Sequence, residues 1–277
     1  MEAQDPSASL CSASGFRVRA PAALTPAKPL KLPIYQILHY PMFLAFAGLV
    51  AAAAASYAGY ASMAPGPQLY GRTLTHGRDP RQVFLTYDDG PNDPHTLHLL
   101  ELLAKHNARA TFFLIGKYVR QRPDIVRAIQ QAGHAIGNHT YNHPNLIFVS
   151  AARLRQELED CTKAIHDAIG EYQPLFRPPF GGRLPQVLST ARRLGLTPVM
   201  WSVTAYDWNA KSSEAIVGHV ARQMNARKDR QGEIILLHDG GHLAFGTDRR
   251  HTVAATQILL ERLSKEGKEF VPVTEAR

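Results

Sequence analysis

The stretch "VFLTYDDGPNDP", residues 83–94, decides the fold. Five residues of strand character, Val83 to Tyr87, run into two adjacent acids, Asp88 and Asp89, and then into a Gly-Pro turn. Asp93 followed by Pro94 signals a helix start, an N-cap acid with a proline in the first turn. A strand that ends in charge and passes directly into a helix opens a βα unit. On a regular strand successive side chains face opposite ways, so Asp88 and Asp89 are expected to diverge. Holding the two carboxylates together would require a positive group beside them.

The pattern repeats outward from there. Apolar runs recur at 110–115, 134–137, 174–177, 197–203, 233–238 and 269–273, with helical patterns between them. Pro123-Asp124 opens one helix, and Gly133, Gly170, Gly195 and Gly267 stand where C-caps are expected. Seven such units imply an α/β fold, a parallel sheet curled into a distorted, TIM-like (β/α)7 barrel. Chemistry in such folds gathers at the C-terminal ends of the strands. The two acids sit at the end of the first.

Before this region the character changes. From Leu32 to Gly71 there is no Lys, Arg, Asp or Glu. Residues 41–63 are long and apolar enough for a transmembrane helix, preceded by a tail (1–40) expected to be disordered and followed by a Pro/Gly linker (64–79). Two readings stay open. The long preceding tail favours an uncleaved anchor, whereas the Ala-rich, weakly apolar composition favours a cleaved signal peptide. Arg72, Arg78 and Arg81 flank the segment, so charge leaves its orientation undecided. The 277 residues, 45% hydrophobic, suit one large core. A formal charge of +8 comes without the basic cluster and interleaved aromatics of a nucleic-acid binder, so no nucleic-acid partner is expected. The two cysteines, Cys11 and Cys161, fall on opposite sides of the apolar segment, and no disulfide is expected. Cys161 shares a helical apolar face with Leu154, Leu158, Ile165 and Ile169 and is expected to pack as a small hydrophobe.

Four further polar stretches follow expected strands: "GNHTYNHP" (137–144), "FRPPFGG" (176–182), "WSVTAYDW" (201–208) and "LLHDGG" (236–241). His139 and His143 are four apart and followed by Pro144, in a turn or the first turn of a helix, and on a helical turn that spacing faces both imidazoles the same way, which suits two ligands of one metal ion. Spacing alone is a weak signal. His238 and His242 repeat it in a glycine-rich loop, and His95 and His98 form a third pair on an expected solvated helix face. With one aspartate the pair at 139 and 143 would complete a 2-His-1-carboxylate site, leaving the other aspartate to accept a proton from attacking water.

Taken in order, these stretches resemble the five motifs of the polysaccharide deacetylase (NodB-homology) family of carbohydrate esterases. "TYDDGP" is similar to the T-F-D-D motif, with Tyr87 in place of Phe, and "HTYNHP" matches H-[ST]-x-x-H-P. "RPPFG" resembles R-x-P-[YF], "WSVTAYDW" carries the Trp and the Asp-Trp pair, and "LLH" matches L-x-H. The resemblance implies the family's fold, with residues 80–277 as the catalytic domain. It implies Asp88 as general base, held by Arg177, and Asp89, His139 and His143 as metal ligands. It implies His238 as general acid, tuned by Asp207, with the backbone N–H of Phe180 as oxyanion stabiliser and Trp201 and Leu236 lining an acetyl-methyl pocket. The implied cofactor is a divalent ion, zinc first, with cobalt, nickel or manganese able to substitute. The implied reaction is removal of N-acetyl groups from a peptidoglycan- or chitin-type glycan. The alternatives are a catalytically weak glycan-binding protein on the same scaffold, or a hydrolase of another C–N or O-acetyl substrate. A monomer is expected, held at the cytoplasmic membrane with its catalytic domain outside or secreted after signal cleavage.

Overall fold

The computed structural model describes residues 34–227 and 231–276; Cys11 and most of the tail lie outside the described residues. The strands are β1 (His76–Gly77), β2 (Gln82–Gly90), β3 (Thr111–Leu114), β4 (Ala135–Asn138), β5 (Leu175–Phe176), β6 (Thr197–Pro198), β7 (Val203–Thr204), β8 (Gly232–His238) and β9 (Glu269–Phe270). The helices are α1 (Ile34–Ala61), α2 (His95–Lys105), α3 (Gly116–Gln121), α4 (Pro123–Gln131), α5 (Ala151–Ile169), α6 (Pro185–Arg193), α7 (Ser213–Ala226) and α8 (Arg250–Lys265). The sheet runs β1-β8-β2-β3-β4-β5-β6, with β7 also paired to β8 and β9 to β2. Every pairing is parallel except that of β1 with β8.

Alternation along β2 explains its continuous burial. Val83, Leu85 and Tyr87 join Leu99, Leu103 and Ile129 in the layer between sheet and helices. Phe84 joins Phe113, Leu175, Val199 and Ile234 inside the curl of the sheet. A strand buried on both faces reads as an unbroken apolar run, and "VFLTY" is one. Thr86 and Asp88 continue the inward-facing series of Phe84.

Three local expectations change. The run 197–203 forms two short strands, β6 and β7. Pro198 has no N–H to donate to a ladder, and the carbonyls of Val199 and Met200 turn to the guanidinium of Arg177, at 3.4 and 2.9 Å. The segment expected to be linker contributes to the sheet: Leu74 bridges Val199, and His76–Gly77 pair with the start of β8. Leu74 to Gly77 therefore connects β6 to β8 where a regular seventh strand would close the ring, so the barrel is distorted there. Asp93 does not cap α2; Pro94 holds that place without a side-chain cap, and Asp93 pairs with Arg122 at 2.5 Å.

Other expectations stand. Pro123 opens α4, and Gly133, Gly170, Gly195 and Gly267 all have left-handed backbones. At Gly170, φ 73° closes α5 with its N–H on His166 O, a conformation that costs glycine least. Cys161 is buried and unpaired in the layer between sheet and helices, with its thiol pushed up to about 12 by burial. The N-terminal helix α1 contains a 20-residue apolar stretch, Met42–Ala61, long enough to cross a bilayer and exposed along nearly all its length, with only its last residue, Ala61, buried. An anchor and a signal sequence both meet that description.

Candidate metal and acid–base site

The two acids of β2 do not diverge. Asp88 pairs in register with Phe113 and His238, and the register with β3 then slips between Asp88 and Gly90. Asp89, at the slip, has φ 73°, a left-handed conformation that aspartate tolerates better than most residues. This bulge turns Asp89 back toward the side that Asp88 faces, and both line one cleft. The neighbouring turn accommodates it: a Cβ on Gly240 would fall 2.2 Å from Asp89 O, so the chain after β8 closes over the bulge only with glycine there.

The positive or potentially positive groups come from the next strand ends. His139 follows β4, and its Nε2 lies 3.5 Å from Asp89 Oδ1 and 3.7 Å from Asp88 Oδ2. His143 Nε2 lies 3.1 Å from Asp89 Oδ1. Of a turn and a first helical turn, the two settings open for residues 139–143, the structure has the turn. Thr140 and His143 are left-handed, at φ 66° and 62°, and a non-helical turn brings the imidazoles together. Local hydrogen bonds hold that turn: Thr140 N–H donates to Asn138 Oδ1 (2.8 Å) and His143 N–H to Thr140 Oγ1 (3.0 Å). Glu157, buried on α5, accepts from Asn142 N–H (2.7 Å) and Asn142 Nδ2 (2.9 Å).

Asp89, His139 and His143 each offer one ligand atom, all within 4.8 Å of one another, the one such group among the described residues. Whether they suit an ion can be tested on their hydrogen bonding. Asp89 Oδ1 is buried without a hydrogen-bond partner, a costly state unless a cation satisfies it. His139 Nδ1 lies 2.8 Å from Arg177 O; a proton there is donated to that carbonyl, and the lone pair is left on Nε2, facing the acids. Burial pushes the His143 pKa down, which favours the neutral imidazole that coordinates metal. Two imidazoles and a carboxylate fit a divalent transition-metal ion.

Asp88 is held separately. Its Oδ1 accepts from Arg177 Nη1 at 2.8 Å, and the same nitrogen donates to Thr86 Oγ1, also at 2.8 Å. Arg177 is fully buried, with its guanidinium 4.2 Å from the Phe113 ring centroid. Across the cleft, His238 Nδ1 lies 2.8 Å from Asp207 Oδ1, while Asp207 Oδ2 accepts from His238 N–H (2.7 Å) and Thr252 Oγ1 (2.8 Å). Burial pulls the His238 pKa down, but Asp207's charge and hydrogen bond outweigh it, and the imidazole is raised to about 9. His238 is therefore an acid at neutral pH.

These groups line a cleft of about 540 Å³ together with Phe180, Trp201, Leu236 and Trp208. All ten residues singled out from sequence come together here, with Arg177 and Asp207 in support behind the lining. Phe180 sits in a left-handed turn at φ 57°, its ring edge-on to His143 at 4.7 Å. His242, set aside in a glycine-rich loop, reaches the same place: its ring stacks on His143 at 4.6 Å and its Nδ1 is 3.7 Å from Asp89 Oδ2. Trp208 packs edge-on against His238 at 5.2 Å. Glu157 was not identified from sequence; the available signal was an acid beside the apolar stripe of α5. His95 is not a ligand here, facing Asp248 at 3.4 Å, and His98 is exposed.

The comparisons with known proteins bear on the same region. A family model described as polysaccharide deacetylase matches residues 75–199. A peptidoglycan-N-acetylglucosamine deacetylase of Bacillus cereus is 40% identical over 195 residues, 70% of this chain and 86% of that protein. A chitooligosaccharide deacetylase of Bradyrhizobium sp. is 36% identical over 200 residues, 70% of this chain and 89% of that protein. The structure of a family 4 carbohydrate esterase from Streptomyces lividans, in complex with acetate, matches with TM-score 0.60 and 35% identity, covering 68% of this chain and 91% of that one. Similarity at this level spans most of each relative, so this chain belongs to the polysaccharide deacetylase family.

Proposed function

We propose that this chain is a metal-dependent deacetylase that hydrolyses the N-acetyl amide of a glycan of peptidoglycan or chitin type. The observation that carries this reading is the pairing of roles within one cleft. Two buried histidines face the unsatisfied oxygen of a buried carboxylate, and two further groups beside them are poised as base and acid.

Asp89, His139 and His143 would hold the ion, zinc first by their chemistry, with cobalt, nickel or manganese able to replace it. What the ion supplies when bound is Lewis acidity, toward the amide carbonyl and toward water. The chain's own groups move the protons. Asp88 Oδ1 is occupied by Arg177, which leaves Oδ2 to take a proton from the attacking water. His238, tied through Nδ1 to Asp207, presents Nε2 to protonate the departing amine. The carbonyl carbon gains a bond to the water oxygen and loses its bond to nitrogen, giving acetate and a free amino sugar. The Phe180 N–H would stabilise the charge developing on the carbonyl oxygen. Trp201 and Leu236 would enclose the acetyl methyl. Acetate release from defined N-acetylglucosamine oligomers, with and without chelator, tests the reading. A glycan-binding protein would bind the oligomers without release, and a hydrolase of other amides would leave them intact.

Two expected results follow here. Asp207→Asn removes the largest charge that raises His238 against burial, leaving only the more distant Asp89 and Asp88 to oppose it, so the pKa drops from about 9. Because the acid must be protonated, the alkaline limb of the rate profile moves to lower pH. A limb that stays in place would remove His238 from the proton transfer. His242→Ala keeps the metal at full stoichiometry, because His242 lies outside the ligand set. Loss of metal in that variant would reassign the third ligand.

Residues 41–63 would tether the domain, placing it outside the cytoplasmic membrane where such glycans lie. Protease added to intact cells should digest residues 80–277. Their protection inside the cytoplasm would contradict export, and a soluble form beginning near residues 60–66 would identify a cleaved signal.

A further inference from the structure

Two arginines in "FRPPFGGR" are completely buried, and they are satisfied in different ways. Arg177 has the carboxylate of Asp88. Arg183, 1% exposed, has no carboxylate within ion-pair distance among the described residues. Its guanidinium donates only to backbone carbonyls: Nη1 to Gly181 O (3.2 Å), and Nη2 to Ala64 O, Pro65 O (3.4 Å) and Pro67 O (2.8 Å). Its backbone N–H donates to Ser62 O at 2.8 Å. A buried guanidinium is tolerated only where its donors find acceptors. Here they come from Gly181 and from the few residues just after the apolar helix.

That segment suits the purpose. Pro65 and Pro67 fix their own φ, and the segment turns and bends outside any helix or strand ladder, so its carbonyls are free to accept. It also touches the catalytic turn directly: a Cβ on Gly181, itself at φ 70°, would lie 2.6 Å from Met63 O and 3.2 Å from the Trp201 ring. Ala61 and Ser62 are buried as well.

We propose that Ser62–Pro67 is a strap which Arg183 fastens against the turn Pro179–Gly181, making Arg183 a positioning residue for deacetylation. The proposal rests on the deacetylase reading above for its kinetic consequence, not for its geometry. The strap holds Phe180 and the adjoining Trp201 wall at the cleft. The active enzyme therefore keeps residues 62–67, and processing beyond Ser62 loosens the turn.

The test is a double-mutant cycle in the full chain, purified in detergent with its metal. One arm is Arg183→Met, and the other replaces Ala64–Pro67 by a flexible Gly/Ser tetrapeptide. Each is expected to lower kcat on N-acetylglucosamine oligomers by about tenfold or more, the scale of small misplacements of reacting groups. KM and bound metal should stay near wild type, and the double variant should lose no more than either single one. Arg183→Lys should recover part of the loss. Unchanged kcat in the strap variant, or losses that multiply, would overturn the proposal. If Arg183→Met does not fold, the strap variant alone decides by the same criterion. Should the wild-type chain release no acetate, the deacetylase reading fails and the strap is read by limited proteolysis. Faster cutting at Gly181–Gly182 in the strap variant supports it, and equal cutting overturns it.

Discussion

Stripping a divalent ion with EDTA is expected to abolish acetate release, and adding zinc back to restore it. The expectation follows from the ligand set: Asp89 Oδ1 is buried without a hydrogen-bond partner, and its nearest neighbours are imidazole nitrogens at 3.1 and 3.5 Å. Without a cation, nothing in the site takes the place of a Lewis acid for an amide. His139→Ala should remove metal and activity together. Loss of an outer partner of a ligand already costs about 10–100-fold in affinity, so loss of the ligand itself should exceed a hundredfold. Metal content by atomic absorption and acetate release, measured on one sample, check both halves. Full activity in a demonstrably metal-free sample would sink the mechanism.

Asp88→Asn should keep its metal and lose about a hundredfold or more in kcat, the range of general acid–base catalysis. The amide is nearly isosteric and still accepts a hydrogen bond from Arg177, but it takes no proton from water. A second effect accompanies the first. Arg177 is fully buried, and the substitution removes its one counterion among the described residues. Breaking a buried pair from one side costs about 3–5 kcal/mol, so thermal unfolding should begin at lower temperature. The measurement that separates the effects is kcat well below the melting transition, with bound metal quantified. A normal rate there would show that Asp88 is structural. Loss of metal would show that Asp88, and not only Asp89, is a ligand.

Much of this was legible in sequence because it rests on residue type and order. "VFLTY" is continuous and apolar because alternate residues pack outward against helices and inward within the curl, and that pattern needs no coordinates. The five motifs place Asp88, Asp89, His139, Arg177, Asp207 and His238 at one rim, because parallel strands of a βα sheet all end on the same side. Cys161 was readable as a packing residue from the stripe of α5 that carries it.

Other features were not readable, each for a physical reason. Strict alternation sends Asp89 away from Asp88, and only a bulge at φ 73°, closed over by Gly240, reverses it. His139 and His143 have helical spacing but meet through two left-handed residues, stabilised by Thr140 and by Glu157 from a distant helix. His242 occupies a loop whose path depends on long-range packing, including Tyr118 Oη on Gly241 O at 3.1 Å. Leu74 to Gly77 is too short to show a strand period, and its place between β6 and β8 is set by partners more than a hundred residues away.

By itself, then, the sequence determined the alternation of strands and helices, the family, the chemical inventory of the site and the presence of one membrane-length apolar helix. These depend on composition, period and order, which are local properties of the chain. Tertiary structure alone decided which faces the two acids present, how His139 and His143 meet them, how the barrel closes and what Arg183 binds. Those depend on backbone conformations that single residues rarely adopt, such as the left-handed Asp89, Thr140, His143 and Phe180. Such conformations persist only because contacts distant in sequence hold them in place.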